Sequence, residues 1–402
     1  MTGPRRRGGP VPALPSPNRP ERAEDFGARL VAWFEREAMD RPWRRTTDPY
    51  RIWVAEVLLQ QTRVEQALPY YVRFLESFPT LADLARAPQG RVLKAWEGAG
   101  YYRRARLLHA AARRVRDLHQ GELPSDVEEL ERLPGFGPYT SRSVAALAFG
   151  RRVVALDANA LRVLARVFLL RPEGPALSSP IEAWGLAALG DRPPRAFNEA
   201  LMELGQRFCT ARAPRCPDCP VAEVCRARRE LPQPGDFPPR KARGRRPRVE
   251  AAVGILLEGD RLLMGRRPEQ GLLGGLWEFP GGKLEEGETP ERAVVREFRE
   301  ETGRRTRVLR RLGVVEHDYS HFHSKLHVFL LETHGTTAPS TREGRSWRWV
   351  PWREVGSLAL PGATRKMLPW VESEMEALLP RRTPNGERSR APRRPRGVRS
   401  HP

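Results

Sequence analysis

Residues 133–149 read LPGFGPYTSRSVAALAF, and the fold of the first half of the chain turns on what surrounds them. The preceding SDVEELERL (125–133) starts with a Ser-x-x-Glu capping pattern and predicts a short helix. Gly135 and Gly137 allow a tight turn with exposed backbone amides, and Thr140 lies at the start of a second helix. The N-terminus of that helix favours an anion. Two helices joined by a glycine hairpin form a clamp for phosphate that carries no sequence preference.

Two carboxylates flank this hairpin in sequence. Downstream, RRVVALDANALRVLARVF (151–168) delivers Asp157 from an apolar run to the start of a helix. The plain alternative is that Asp157 is only an N-cap. Upstream, IWVAEVLLQQTRVEQALPYYVRFL (52–75) has a helical pattern with Glu56 among Val54, Val57, Leu58 and Leu59. Desolvation there raises the carboxyl pKa and suits a general acid, whereas a position at the solvent edge would leave it unremarkable. Two carboxyls in unlike environments can protonate a departing base and stabilise an oxocarbenium ion beside it, as in glycoside hydrolysis.

All four cysteines fall in CTARAPRCPDCPVAEVC, as Cys209, Cys216, Cys219 and Cys225. Ligands this closely spaced suit one metal centre better than disulfides, with tetrahedral zinc and an iron–sulfur cluster equally open on spacing alone.

The 402-residue chain has a formal charge of +21, unevenly placed. Residues 1–22 hold five Arg and one Glu, residues 226–248 nine basic and two acidic residues, and residues 380–402 eight Arg and one Glu. These Pro- and Gly-rich stretches read as a disordered basic arm, a basic linker and a disordered basic tail able to neutralise phosphates. They leave two domains, at 23–225 and 249–379. No apolar run reaches the roughly 18 residues of a membrane helix, and the N-terminus lacks a signal-peptide core. A soluble, cytoplasmic, DNA-associated protein with no membrane partner is expected.

The Cys spacing, the hairpin and the two carboxylate segments together resemble the helix-hairpin-helix DNA glycosylases, and residues 40–225 resemble their adenine-specific branch. The fold expected is therefore multidomain, with an all-α glycosylase domain in two lobes followed by a second, α+β domain. The resemblance implies a [4Fe–4S] cluster on Cys209, Cys216, Cys219 and Cys225. PWRRTTDPYRIWVAEVLLQQT (42–62) matches the segment of the catalytic glutamate, Glu56, and LDANALRVLAR (156–166) that of the catalytic aspartate, Asp157, assisted by Asn159. Gln61 and Tyr101 inherit strand-separating roles, with Arg44, Thr62, Gly135, Gly137 and Thr140 also on DNA. FNEALMELG (197–205) implies an adenine pocket near Glu199 and Met202, with Trp43. Lyase relatives carry a Schiff-base lysine in the hairpin segment. Tyr139 stands there and cannot form an imine, which implies a monofunctional glycosylase with Tyr139 among the catalytic residues, supporting the nucleophilic step. Arg41 departs from the apolar residue usual before Pro-Trp. The substrate implied is duplex DNA with adenine opposite 8-oxoguanine or guanine, bound by a monomer.

The second domain alternates in strand fashion through EAAVGILLEGDRLLMGRR (250–267), SKLHVFLLETH (324–334) and RSWRWVPWREV (345–355). Between the first two lies GGKLEEGETPERAVVREFREETG (281–303), which resembles the Nudix box of MutT-like hydrolases. Gly282, Glu288, Arg296, Glu297, Glu300, Glu301 and Gly303 are in register, and Arg304 replaces an aliphatic residue. Glu297, Glu300 and Glu301 share a helix face that could hold Mg²⁺. In adenine-specific relatives such a domain recognises 8-oxoguanine, and Tyr319-Ser320-His321 matches the loop that does so. Lesion recognition is expected over nucleotide hydrolysis, with a hydrolase acting on 8-oxo-dGTP as the alternative.

Overall fold

The computed structural model describes residues 20–171, 180–239, 246–319, 322–333 and 346–378. They divide into two compact units, one built on residues up to 245 together with Pro268–Leu276, the other on Arg246–Arg267 and the residues from Trp277 onward.

The α-helices described in the first unit are α1 (Pro20–Glu37), α2 (Pro49–Leu59), α3 (Val64–Ser77), α4 (Leu81–Arg86), α5 (Gln89–Ala95), α6 (Arg103–Leu118), α7 (Val127–Glu131), α8 (Pro138–Phe149), α9 (Ala158–Phe168), α10 (Pro180–Leu189), α11 (Pro194–Arg207) and α12 (Arg226–Glu230). One core gathers α1 with α9 to α12, its aromatic residues including Phe26, Trp33, Phe168, Trp184 and Phe197. Phe168 stacks on Trp184 at 4.6 Å and meets the edge of Phe26 at 5.5 Å. The intervening helices pack on one another, α2 against α3 and α8, and α6 against α4 and α5. The chain thus starts one lobe, builds the other and returns. Helix α2 is buried on every side from Ile52 to Leu58, as its nearly unbroken apolar run requires.

Two expected boundaries move. Residues 20–22 belong to α1, which begins at Pro20, a residue whose fixed φ suits a helix start. The first part of the expected linker also folds. Ala227 and Phe237 are buried in the α1/α9–α12 core, and Arg166 Nε donates to the Phe237 carbonyl at 2.6 Å. Net charge concealed two apolar anchors. Residues 1–19 and 379–402, most of the expected arm and tail, lie outside the described residues, as do 240–245 of the linker.

The second unit contains strands β1 (Arg248–Glu258), β2 (Arg261–Arg266), β3 (Trp277–Glu278), β4 (Gly281–Lys283), β5 (Thr306–Asp318), β6 (His323–Thr333) and β7 (Ser346–Pro351), with helices α13 (Pro290–Thr302), α14 (Trp352–Val355) and α15 (Gly362–Leu378). The sheet runs β3-β2-β1-β6-β5, with β4 on β1 and β7 on β2, and β1 and β6 are parallel. Alternate residues divide between two cores: Ile255, Leu262, Met264, Val328 and Leu330 face α14 and α15, whereas Ala252, Leu256, Leu263, Phe329 and Leu331 face α13. Period-two alternation with both sets apolar is the mark of a sheet covered on both faces.

Among the described residues no helix is long and apolar enough to cross a membrane.

Candidate active site

Glu56 lies inside the lobe rather than at its edge, 4% exposed on the all-buried helix α2. Tyr139 Oη and Ser143 Oγ, both from α8, each donate to Glu56 Oε2 at 2.7 Å. Burial raises the carboxyl pKa to about 6, the two hydroxyl donors pull it down, and the charges of Asp157 and Glu199 push it up again. The side chain therefore exchanges its proton in a range useful to an acid catalyst.

Asp157 caps α9, its Oδ1 accepting from Ala160 N at 2.6 Å and its Oδ2 from Asn159 Nδ2 at 2.7 Å. Burial raises its pKa and these N–H donors oppose the shift. The cap reading and the functional reading coincide, since the carboxylate that closes α9 also faces an open cavity. That cavity is lined by Glu56, Asp157, Asn159, Tyr139, Met202 and Gln206, and by Gln61, Thr62, Gly135, Gly137 and Thr140. Residues read from four separated motifs meet there.

Gly135 makes the hairpin possible. Its φ of +80° is left-handed, and a Cβ would lie 2.7 Å from that of Leu107. The next helix, α8, starts at Pro138 with Gly137 as its cap, so its first amides face the cavity mouth. Gln61 and Tyr101, expected to separate strands, both adopt left-handed backbone, with φ of +60° and +48°. Tyr101 is 40% exposed.

The adenine-pocket residues separate. Met202 lines the cavity, its sulfur 3.2 Å from Tyr139 Oη. Glu199 sits behind it, 3.6 Å from Arg44 Nε and 3.5 Å from Arg195 Nε, and burial raises its pKa despite both cations. Trp43 is buried edge-on against Tyr71 at 5.4 Å and is not among the lining residues. Arg44, expected on DNA, turns inward. It pairs with buried Glu203, donates to the Met39 carbonyl at 2.7 Å and covers the Phe34 ring. Two buried acids outcompete solvent for that guanidinium. Arg41 contacts Met39 Sδ at 3.4 Å and does not line the cavity.

Sequence reading missed Ser143, Gln60 and Arg104. Gln60 Nε2 donates to Thr140 Oγ1 at 3.0 Å, linking the end of α2 to the start of α8. Ser143 follows Tyr139 by four residues, so helical spacing could have paired them beneath one carboxylate. Arg104 binds backbone carbonyls, several of them more than forty residues away, and gave no local signal.

The four cysteines are free and together line a second cavity with Arg166, whose Nη1 is 3.4 Å from Cys209 Sγ. Burial raises the pKa values of the Cys216, Cys219 and Cys225 thiols, that of Cys219 to about 12. Among the described residues no three His, Cys, Asp or Glu side chains converge closely enough to hold a single metal ion.

In the second unit the expected acidic face is internally paired. Arg296 is 2.8–2.9 Å from Glu288, 3.0 Å from Glu297 and 3.2 Å from Glu300. Glu301 is buried and accepts from Gly281 N at 3.0 Å. Any Cβ on Gly282 would strike the Glu297 carboxylate at 2.2–2.4 Å. Among the described residues Glu297, Glu300 and Glu301 thus do not converge as a single-ion set, the arrangement the possible Mg²⁺ site would need. Arg304 is buried, its guanidinium over Trp349 at 5.1 Å, where an aliphatic residue would have packed. Tyr319 stacks on Phe322 at 4.7 Å, while Ser320 and His321 lie outside the described residues.

A helical hairpin unit whose cleft holds one buried and one half-buried carboxyl is the architecture of a DNA base-excision enzyme, and residues 54–181 match the model of the HhH-GPD superfamily of base excision DNA repair proteins. Residues 252–370 match a NUDIX domain. The chain is 34% identical over 399 residues to adenine DNA glycosylase of Homo sapiens, the match covering 85% of this chain and 73% of that protein. It is 39% identical over 230 residues to adenine DNA glycosylase of Mycobacterium tuberculosis (strain CDC 1551 / Oshkosh), covering 56% of this chain and 75% of that protein. The chain belongs to the adenine DNA glycosylase family and is a DNA N-glycosylase.

Proposed function

We propose that this chain hydrolyses the N-glycosidic bond of adenine opposite 8-oxoguanine, and opposite guanine, in duplex DNA, leaving the strand uncut. One observation carries the reading: Glu56 and Asp157, with six helices between them in the chain, line one cavity, the first held by two hydroxyl donors and the second by N–H donors at a helix start. An adenine turned out of the stack into that cavity would take the Glu56 proton as it leaves. Asp157, at the positive end of α9, would supply negative charge beside the developing sugar cation. Glu56, deprotonated by that step, would then accept a proton from the attacking water. Tyr139 and Ser143 hold the Glu56 carboxylate while it is charged. No lysine is among the residues lining the cavity, which supports hydrolysis without imine chemistry.

We read the cysteine cavity as the seat of a [4Fe–4S] cluster on Cys209, Cys216, Cys219 and Cys225. Four thiols surround one space without converging on a single-ion centre, which suits a polynuclear group better than zinc. Such a cluster would brace the 209–225 loop and take no part in proton transfer. The second domain is read as the lesion-recognising part, through Tyr319, Ser320 and His321. Paired as it is with Arg296, its acidic face gives the nucleotide-hydrolase alternative no support.

The test is single-turnover excision from duplexes with adenine opposite 8-oxoguanine, guanine or thymine. Fast release from the first two and slow release from the third is expected, with strand scission appearing only after alkali. The Asp157→Asn protein should bind the 8-oxoguanine duplex yet release adenine at least a hundredfold more slowly. Near-normal release by that variant would remove Asp157 from the chemistry.

A further inference from the structure

Helix α2, which carries Glu56, ends at Leu59, so its last carbonyls lack helical partners. A single guanidinium from α6 meets them. Arg104 Nη1 donates to the carbonyls of Val57 at 2.7 Å and Leu58 at 3.1 Å, and also to that of Gln60. Its other terminal nitrogen, Nη2, donates to the carbonyls of Ala99 at 3.2 Å and Gly100 at 3.4 Å, and to Thr62 Oγ1 at 3.4 Å. The guanidinium also lies against the rings of Trp96, at 5.6 Å, and Tyr101, at 5.1 Å. Trp96 Nε1 donates to the Gly100 carbonyl at 3.0 Å, closing the cluster.

Every oxygen Arg104 holds is a carbonyl or a hydroxyl. The cation is thus held by the negative end of a helix and by loop backbone. The two segments it joins, 57–62 and 99–101, each present one non-glycine residue in left-handed backbone, Gln61 and Tyr101. Such conformations persist where the surroundings enforce them, and here one fork enforces both. A lysine could supply the charge but could not span two loops with fixed, divergent donors.

We propose that Arg104 is a positioning residue that locks the Gln61 and Tyr101 loops to the end of the Glu56 helix, so that the two side chains act on the duplex as one wedge. This rests on the excision reading above. Loss of the fork leaves the carboxyl environment of Glu56 intact and lets the two loops move independently. Extrusion of the base then slows while the proton chemistry keeps its pH dependence.

The experiment uses the full chain. In an Asp157→Asn background, the fluorescence rise of 2-aminopurine at the target position opposite guanine reports extrusion. Separately, excision by Arg104→Lys and Arg104→Met is followed against pH. Extrusion at least tenfold slower in both variants is expected, with affinity for undamaged duplex and the pH midpoint of residual excision unchanged. Extrusion at the parental rate, a displaced pH midpoint, or failure of both variants to fold each overturns the proposal. A wild-type protein inactive on every adenine duplex would instead overturn the excision reading itself.

Discussion

At the residue scale, Glu56 shows how one side chain takes opposed demands. An ionised carboxylate at 4% exposure loses hydration, and two hydroxyl donors return only part of it. Its pKa is raised from 4.5 to about 6, so the folded state binds protons more tightly than the unfolded chain. This contribution to stability is complete below about pH 4.5 and is lost as pH rises through about 6. The shift corresponds to about 2 kcal/mol. Glu56→Gln, which keeps an acceptor for Tyr139 and Ser143, should therefore unfold at higher denaturant than wild type at pH 8. That advantage should vanish near pH 4.5, while excision is lost at every pH. Equal denaturation midpoints for the two proteins at pH 8 would contradict a destabilising charge at this site. Single-turnover excision by wild type should decline as pH climbs past the Glu56 midpoint.

At the element scale, local pattern served well where the partner lies within a few residues. The glycine hairpin, the cap at Asp157 and the start of α8 were all legible, because capping and turn chemistry are short-range. The segment after the cysteines was misread as linker, since Ala227 and Phe237 are two apolar anchors among many charges and only the core of α1 and α9–α12 reveals their use. That placement also joins the cysteine loop to the core, through Arg166 and its bonds to the carbonyls of Thr210 at 2.7 Å and Phe237 at 2.6 Å. Cys219→Ser should thus abolish iron and sulfide content and lower the unfolding temperature, with weakened duplex binding, because the loop loses its brace. A variant that retained full iron content with normal stability would argue against the cluster.

At the scale of the whole molecule, the two compact units divide the labour proposed for them. The chemistry proposed above rests on the helical unit, in which Glu56, Tyr139 and Asp157 line one cavity. Discrimination of the opposite base is assigned to the second unit. The double variant Ser320→Ala/His321→Ala should thus lose about tenfold or more of the preference for 8-oxoguanine over guanine, the range of about 1–3 kcal/mol given by a specific base contact. Excision of adenine opposite guanine should persist, and equal preference in both proteins would remove that loop from recognition.

The amino-acid sequence alone determined the two-domain order, the helical hairpin and the four-cysteine loop, because each rests on short-range spacing, while the choice of Glu56 and Asp157 came from the family resemblance of their segments. Only tertiary structure decided that Arg44 turns inward and that Arg104 ties residues 57–62 to 99–100. The physical reason is the same in each case. A guanidinium reaches several ångströms to whichever acceptors the fold has deprived of water, and those acceptors are set by packing rather than by neighbours in the chain.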